Sequence, residues 1–464
     1  MEKKNMEAPL NYKSILFVTC LSASLVPLMG SALNLALPYI NRDFSLNASA
    51  SGWIMASYML STAIFQIPSA RFADMFGRKK VFIAGVFVFL VFSIMCGLAQ
   101  SGTSLILFRF LSGIGSSMMF ATNMAIITAV VPPERRGWAL GLNAGTVYFS
   151  LAVGPFVGGF MTQWLGWHSI FFLAALMSLF VLVGALLLMK QEWKNEQKGA
   201  FDYTGTIIYA TGLSSLIYGF SQLPHIMGFL LTGMGLLILL FFTWFERRQE
   251  EPVFNVNIFF RNRVFKHASI SALINYSATT SISFMLSLYL QYVRGLTPTQ
   301  AGLILVAQSL IQAVISLQSG KLSDKVSATK LASAGMLIIA LGLICLCFLS
   351  STTSFIYIFI VLAFIGLGFG TFSSPNTNVI MSSVTKEEYG LASATTGTMR
   401  LVGQSFSMGL AMMAMSLMIG KIPLSPEVTP QLISSLRITF VISALLCLFG
   451  VYSSSIRSRR EIRG

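Results

Sequence analysis

Two arginines interrupt apolar runs: Arg109, inside Leu105 to Gly115, and Arg400. A charge at mid-membrane costs about 2.5 to 3.5 kcal/mol on insertion scales, so each must face a cavity or a partner. Together they outline a polar, anion-attracting centre. The phenol of Tyr58 and the amides of Asn34, Asn123, Asn275, Gln308 and Gln312 can complete it, and the two glutamines stand one turn apart on one helical face. The competing role for each of these groups is structural, as interhelical glue satisfied by carbonyls and amides. No acid accompanies the arginines: all sixteen lie in loops, tails or span ends, among them Asp43, Asp74, Glu134, Asp202, Asp324, Glu387 and Glu388. A catalytic site would need a nucleophile with its base, or a metal cluster, at depth, and neither is present. His168, His225 and His267 fall at expected membrane edges, and the five cysteines lie inside apolar stretches without ligand spacing, as packing residues. The sequence therefore gives no enzyme, no metal site and no cofactor.

The elements that carry these residues are set by composition. The chain is 55% hydrophobic and only 10% charged, a balance that commits most of it to lipid. A span needs about 20 mostly apolar residues, and fourteen such runs can be laid along the sequence. The expected fold is all-α and integral to the membrane, with fourteen transmembrane helices. Six fill an N-terminal bundle over 15–189, behind a cytoplasmic tail at 1–14. A linker at 190–266 holds two extra helices and an interfacial segment, a second six-helix bundle fills 267–455, and 456–464 is a basic tail.

About 25 of the 31 Lys and Arg fall in alternate loops and both tails, which places those segments and both termini in the cytoplasm. The net charge of +15 thus belongs to orientation in a bilayer and not to nucleic acid. Trp53, Trp164 and Trp167 at expected outer ends, and Trp138 and Trp244 at inner ends, read as belt residues. Phe254, Ile258, Phe259, Arg261 and Arg263 suggest a short interfacial helix.

Two loops on the basic side resemble each other. After the second span stands Ala70-Arg71-Phe72-Ala73-Asp74-Met75-Phe76-Gly77-Arg78-Lys79-Lys80, and after the tenth Gly320-Lys321-Leu322-Ser323-Asp324-Lys325. Equivalent loops in two six-span halves imply a parallel repeat about an axis along the membrane normal. Asp74 is placed to accept hydrogen bonds from a neighbouring helix N-terminus, with Arg78 and Lys79 reaching phosphates or carboxylates. In the fifth span Gly145 precedes Gly154-Pro155-Phe156-Val157-Gly158-Gly159, where missing side chains let helices touch and Pro155 kinks the span.

The first of these loops resembles the signature Gly-x-Leu-Ala-Asp-x-x-Gly-Arg-Lys of the major facilitator superfamily, matching at Asp74, Gly77, Arg78 and Lys79 and departing at Ala70; Gly320, Leu322 and Asp324 keep the pattern in the second half. The run from Gly154 to Gly159 is similar to the motif of that family's antiporters, and Arg109 with Gly113 and Gly115 matches its Arg-x-x-x-Gly-x-Gly. Asn34 to Pro38, Trp53 with Tyr58, and Pro252 to Arg263 look like the fourteen-span drug/proton antiporters. The resemblance implies multidrug efflux across the inner membrane by alternating access, with a small amphipathic molecule as substrate, the proton gradient as energy source, the bilayer as surroundings and a monomer as the working unit. One position departs from that branch: Met29 stands where it usually carries an acid. Coupling then falls to Asp43, Asp74 or a carboxylate of the substrate. The alternative is a carrier of amphipathic organic anions, by symport or exchange, through the embedded arginines.

Overall fold

Backbone that leaves water must close its hydrogen bonds within its own segment, and the α-helix does this locally. A computed structural model describes residues 12–132, 135–193, 201–249, 252, 256–323, 325–384, 389–420, 422, 424 and 426–455. Helices α1 (Tyr12–Asp43), α2 (Ala48–Phe76), α3 (Arg78–Gly97), α4 (Gly102–Val130), α5 (Arg136–Leu165) and α6 (His168–Leu188) form the first set. Helices α7 (Tyr203–Ser221), α8 (Ile226–Glu246) and the short α9 (Asn257–Arg261) follow. The last set is α10 (Arg263–Thr279), α11 (Ser281–Leu288), α12 (Pro298–Leu322), α13 (Ala328–Leu346), α14 (Phe355–Ser382), α15 (Tyr389–Met418) and α16 (Thr429–Ser454).

Among the described residues, eleven helices are long and apolar enough to cross a membrane. The exceptions with membrane-like packing are α2, α7 and the broken α10–α11 pair. Their low hydropathy has a local cause in two cases. Ser51, Ser57, Ser61, Thr62, Gln66 and Ser69 of α2 are all buried, as are Ser269, Ser271, Asn275, Ser277 and Thr279 of α10, so the polar side chains face other helices. At the α10–α11 break the Ser281 amide donates to Ser407 Oγ at 2.9 Å, and a single π turn, Tyr289–Val293, ends the rod.

Packing repeats between the two sets. In the first, α1 packs on α4, α5 and α6, α2 on α4, and α3 on α4 and α6; in the second, α10 packs on α14, α15 and α16, α12 on α14, and α13 on α14 and α16. Residue detail repeats as well. A Cβ added to Gly115 of α4 would meet the Gly85 carbonyl and Phe89 of α3, and one added to Gly335 of α13 would meet the Gly368 carbonyl and Phe372 of α14. Two turns after Gly115, Asn123 Nδ2 donates to the Thr19 carbonyl of α1 at 2.7 Å; two turns after Gly368, Asn376 Nδ2 donates to the Ala268 carbonyl of α10 at 3.1 Å. These twin pairs hold the same joint in each half.

The two central helices sit outside this repeat. Helix α7 packs on α2, α15 and α8, with the Tyr209 hydroxyl donating to the Ala63 carbonyl at 3.3 Å, while α8 turns most of its apolar surface outward. Exposed Trp138, Trp164 and Trp244 suit a membrane belt, and Trp53 leans on Tyr218. Trp167 does not fit that role: it is only 2% exposed, and its Nε1 donates to Asp43 Oδ2 at 2.7 Å. The turn at Gly166, with φ of +80°, brings it back against Phe44 and Phe171. A short helix, α9, does form in the expected stretch, with Ile258 buried and Phe260 exposed beneath the Arg247 guanidinium; Phe254 lies outside the described residues.

Candidate functional site

The two embedded arginines have opposite surroundings. Arg109 is 1% exposed inside the first half. Its Nε donates to the Ile54 carbonyl at 3.2 Å, its Nη1 rests on Met29 Sδ at 3.7 Å, and its guanidinium lies 4.2 Å from the Tyr58 ring. Tyr58 in turn donates to Ser116 Oγ at 2.6 Å. The charge is thus absorbed by a carbonyl, a thioether and an aromatic face, with Met29 in the place where a carboxylate would stand. Arg109 and Tyr58 form one interior cluster, away from any surface a solute could reach.

Arg400 lies part-exposed in the middle of α15, with its guanidinium 5.4 Å from the ring of Phe120 on α4 in the other half. Among the described residues it makes no hydrogen bond or ion pair. The repeat gives this contact a twin. Tyr148 of α5 stands one turn after Gly145, as Arg400 stands one turn after Gly397, and the Tyr148 hydroxyl meets Ser373 Oγ of α14 at 3.4 Å, again across the halves. Ser316 of α12 also meets Ser373, at 3.4 Å. Opposite, the Gln66 amide of α2 comes to 3.7 Å from where a Cβ on Gly397 would sit, and Gln66 Oε1 is buried without a partner. Tyr276 of α10 is within electrostatic reach of both Arg400 and Tyr148.

Helix α5 shows how these groups come to face open space. Gly154 packs on Ser31 and Gly158 on the Ala32 backbone of α1, Gly159 packs on the Pro298 carbonyl of α12, and Gly302 of α12 packs on the Pro155 carbonyl. Nearer the basic end, Gly145 and Gly141 have nothing within 4 Å of a Cβ, and neither does Gly30 of α1. Helices α5 and α12 therefore touch backbone to backbone at the far end, while Gly145 and Gly141 of α5 front open space toward the basic end. At the far end α1 is also tied to the second half: Ser287 Oγ donates to the Asn34 carbonyl, Gln291 Nε2 to the Leu35 carbonyl at 3.2 Å and the Tyr292 hydroxyl to the Pro38 carbonyl at 3.2 Å.

The remaining expected site residues make no hydrogen bond or ring contact with Arg400 among the described residues. Asn34 is buried at the α1–α11 seam with Oδ1 unpartnered, and Asn275 is fully buried with Nδ2 on Met336 Sδ at 3.3 Å. Gln308 and Gln312 are buried on α12, their backbones against Gly366 and Gly370 of α14. Gln66, Phe120, Tyr148, Tyr276 and Ser373 escaped notice in the sequence. The signal that could have found one of them, Tyr148, is the paired Gly145–Tyr148 and Gly397–Arg400 spacing once the halves are aligned.

The signature loop is built differently from expectation. Asp74 Oδ1 pairs with Arg78 Nη2 at 3.3 Å, and the carboxylate at the α3 N-terminus is that of Glu192, which accepts from the Lys79 amide at 2.9 Å. The Arg78 amide donates to the Trp193 carbonyl at 2.9 Å. Gly77, with φ of +111°, leaves the space that the Glu192 carboxylate fills. In the second half Gly320 packs on Ser374 Oγ, and Asp324 lies outside the described residues. Among the described residues no group of three or more His, Cys, Asp or Glu could hold a metal ion.

The family match follows the same repeat. The Major Facilitator Superfamily matches residues 19–408 and, a second time, 269–460. The chain belongs to the Major Facilitator Superfamily. It is 27% identical over 398 residues to the riboflavin transporter RibZ of Clostridioides difficile, covering 86% of each chain. It is 29% identical over 399 residues to the multidrug resistance protein Stp of Mycobacterium tuberculosis, covering 84% of this chain and 73% of that one. A bacterial homolog of the human lysosomal transporter Spinster, solved in an inward-facing and unoccupied conformation, superposes with a TM-score of 0.71 at 17% identity over 97% of both chains, a likeness of fold. As a superfamily member the chain is a multi-pass membrane transporter and not an enzyme.

Proposed function

We propose that this superfamily member is a fourteen-span secondary transporter of the cytoplasmic membrane that exports amphipathic compounds by alternating access, as a monomer, with both termini in the cytoplasm. The span count adds α2, α7 and the α10–α11 rod to the eleven helices that satisfy length and hydropathy alone. Orientation rests on the Lys and Arg of the loops after α2, α4, α8 and α12. Membership of the drug/proton antiporter branch, and the proton gradient as energy source, rest on the resemblance of motifs and on relatives such as Stp.

The observation that carries the reading is the contrast along α5 between the close-packed Gly158 and Gly159 and the open space beside Gly145 and Gly141. Two halves in backbone contact at the far end, with open space beside α5 toward the basic end, fit alternating access, in which the halves rock about a central site so that the far-end contacts part as the basic end closes. Small side chains at the joint permit close approach without a directional bond that would have to break. A second reading, transport of organic anions by exchange or symport, is favoured by the guanidinium of Arg400, which has no ion-pair partner among the described residues.

The test uses everted vesicles with an acid interior, to which a lipophilic cation or an amphipathic anion is added. Transport by this mechanism saturates with substrate, shows counterflow, and releases protons for a cation exchanged against them. Flux that rises linearly with concentration and shows no counterflow would end the alternating-access reading.

A further inference from the structure

We propose that Arg400, with Phe120 and Gln66 beside it and Tyr148 opposite, binds the acidic group of an amphipathic aromatic anion. The proposal rests on the transporter reading above and names the substrate class of its central site. Three observations converge on it.

The first is the contrast between the arginines: Arg109 is held by Ile54, Met29 and Tyr58, whereas Arg400, mid-helix, makes no hydrogen bond or ion pair among the described residues with any of its five guanidinium donors. An embedded cation without a counter-charge is expensive, so its natural partner is a carboxylate, sulfonate or phosphate that arrives with the solute. The second is position. Arg400–Phe120 and Tyr148–Ser373 are repeat-equivalent contacts that each join one half to the other, so a ligand between them touches both halves at once. The third is what surrounds the charge: the Phe120 ring beside it offers an apolar face for a planar body, and Gln66, whose amide stands 3.7 Å from a Cβ on Gly397 one turn before Arg400, has an Oε1 without a partner among the described residues that can accept from a hydroxyl or amide on it.

Because the natural substrate is unidentified, the probe is one ring system in three charge states: 2-naphthoate, 2-naphthamide and naphthylmethylammonium. The full chain in nanodiscs is treated with phenylglyoxal, which attacks accessible guanidinium groups, and modification is read by mass spectrometry. Arg400 is expected to react at least about tenfold faster than Arg109, in keeping with a bond to a charged group being worth a factor of ten or more. 2-Naphthoate is expected to protect it while the amide and the ammonium do not. In proteoliposomes, counterflow of 2-naphthoate should fall about tenfold or more in Arg400→Gln and recover in part in Arg400→Lys.

An unreactive Arg400, or equal protection by the amide, overturns the proposal without requiring any variant to fold. Saturable counterflow of all three compounds alike, unchanged in Arg400→Gln, overturns the anion site and leaves the transporter standing. Protection by 2-naphthoate without saturable flux of any compound upholds the anion site and defeats the transport reading.

Discussion

Arg109 and Arg400 carry the same charge on comparable helices, yet stability and function divide between them. Removing Arg109 leaves the Ile54 carbonyl and the Tyr58 ring facing a void inside the first half, so Arg109→Met should lower stability by about 1 to 3 kcal/mol, the range for a lost bond to a charged group. Among the described residues Arg400→Met breaks no hydrogen bond or ion pair and it removes a charge from a membrane-spanning helix, so its melting temperature in lipid should equal or exceed that of the parent. Melting curves of the two variants decide the point, and a larger loss in Arg400→Met would reverse the assignment. Sequence reading found both arginines because a charge within an apolar run stands out. It could not separate them, since what neutralises Arg109 is a thioether, a ring and a main-chain carbonyl, none of which advertises itself by type.

At the level of helices, glycines along α5 serve two purposes that the motif alone leaves merged. Gly154, Gly158 and Gly159 are contact points in the structure, whereas Gly145 and Gly141 front open space on the same helix. Gly158→Ala pushes a methyl group into the Ala32 backbone and should cost about 1 to 3 kcal/mol, the usual price of overpacking. Gly145→Leu has open space around its Cβ in this conformation and should fold normally, yet slow transport severely by blocking the approach of α5 to α12 at the basic end. Measuring melting temperature and initial flux on both variants separates a packing glycine from a clearance glycine; a normal flux in Gly145→Leu would deny that α5 closes there. The helical content, the two-fold repeat and the basic-end loops were legible from apolar runs and charge placement. Glu192 was not, because its role depends on the chain after α6 returning to the Gly77 turn, a contact across more than a hundred residues.

For the whole molecule, the pattern of contacts sets the order of events. The joints between halves are α5 with α12 and α2 with α15, and these are exchanged by the same pseudo-symmetry that relates Tyr148 to Arg400. Swinging about them toward closure at the basic end shuts the cleft around Arg400. If the cleft is empty, that motion encloses a guanidinium without a counter-ion, at a cost of several kcal/mol; if an anion is bound, the pair is enclosed together. Reorientation should therefore be fast when loaded and slow when empty, which makes one-for-one exchange outrun net efflux by about tenfold or more for a penalty of 1.4 kcal/mol upward. In proteoliposomes preloaded with labelled 2-naphthoate, efflux into buffer containing unlabelled 2-naphthoate should exceed efflux into plain buffer by that factor, and Arg400→Gln should bring the two rates together. Equal rates in the parent protein would mean that Arg400 imposes no penalty on the empty return.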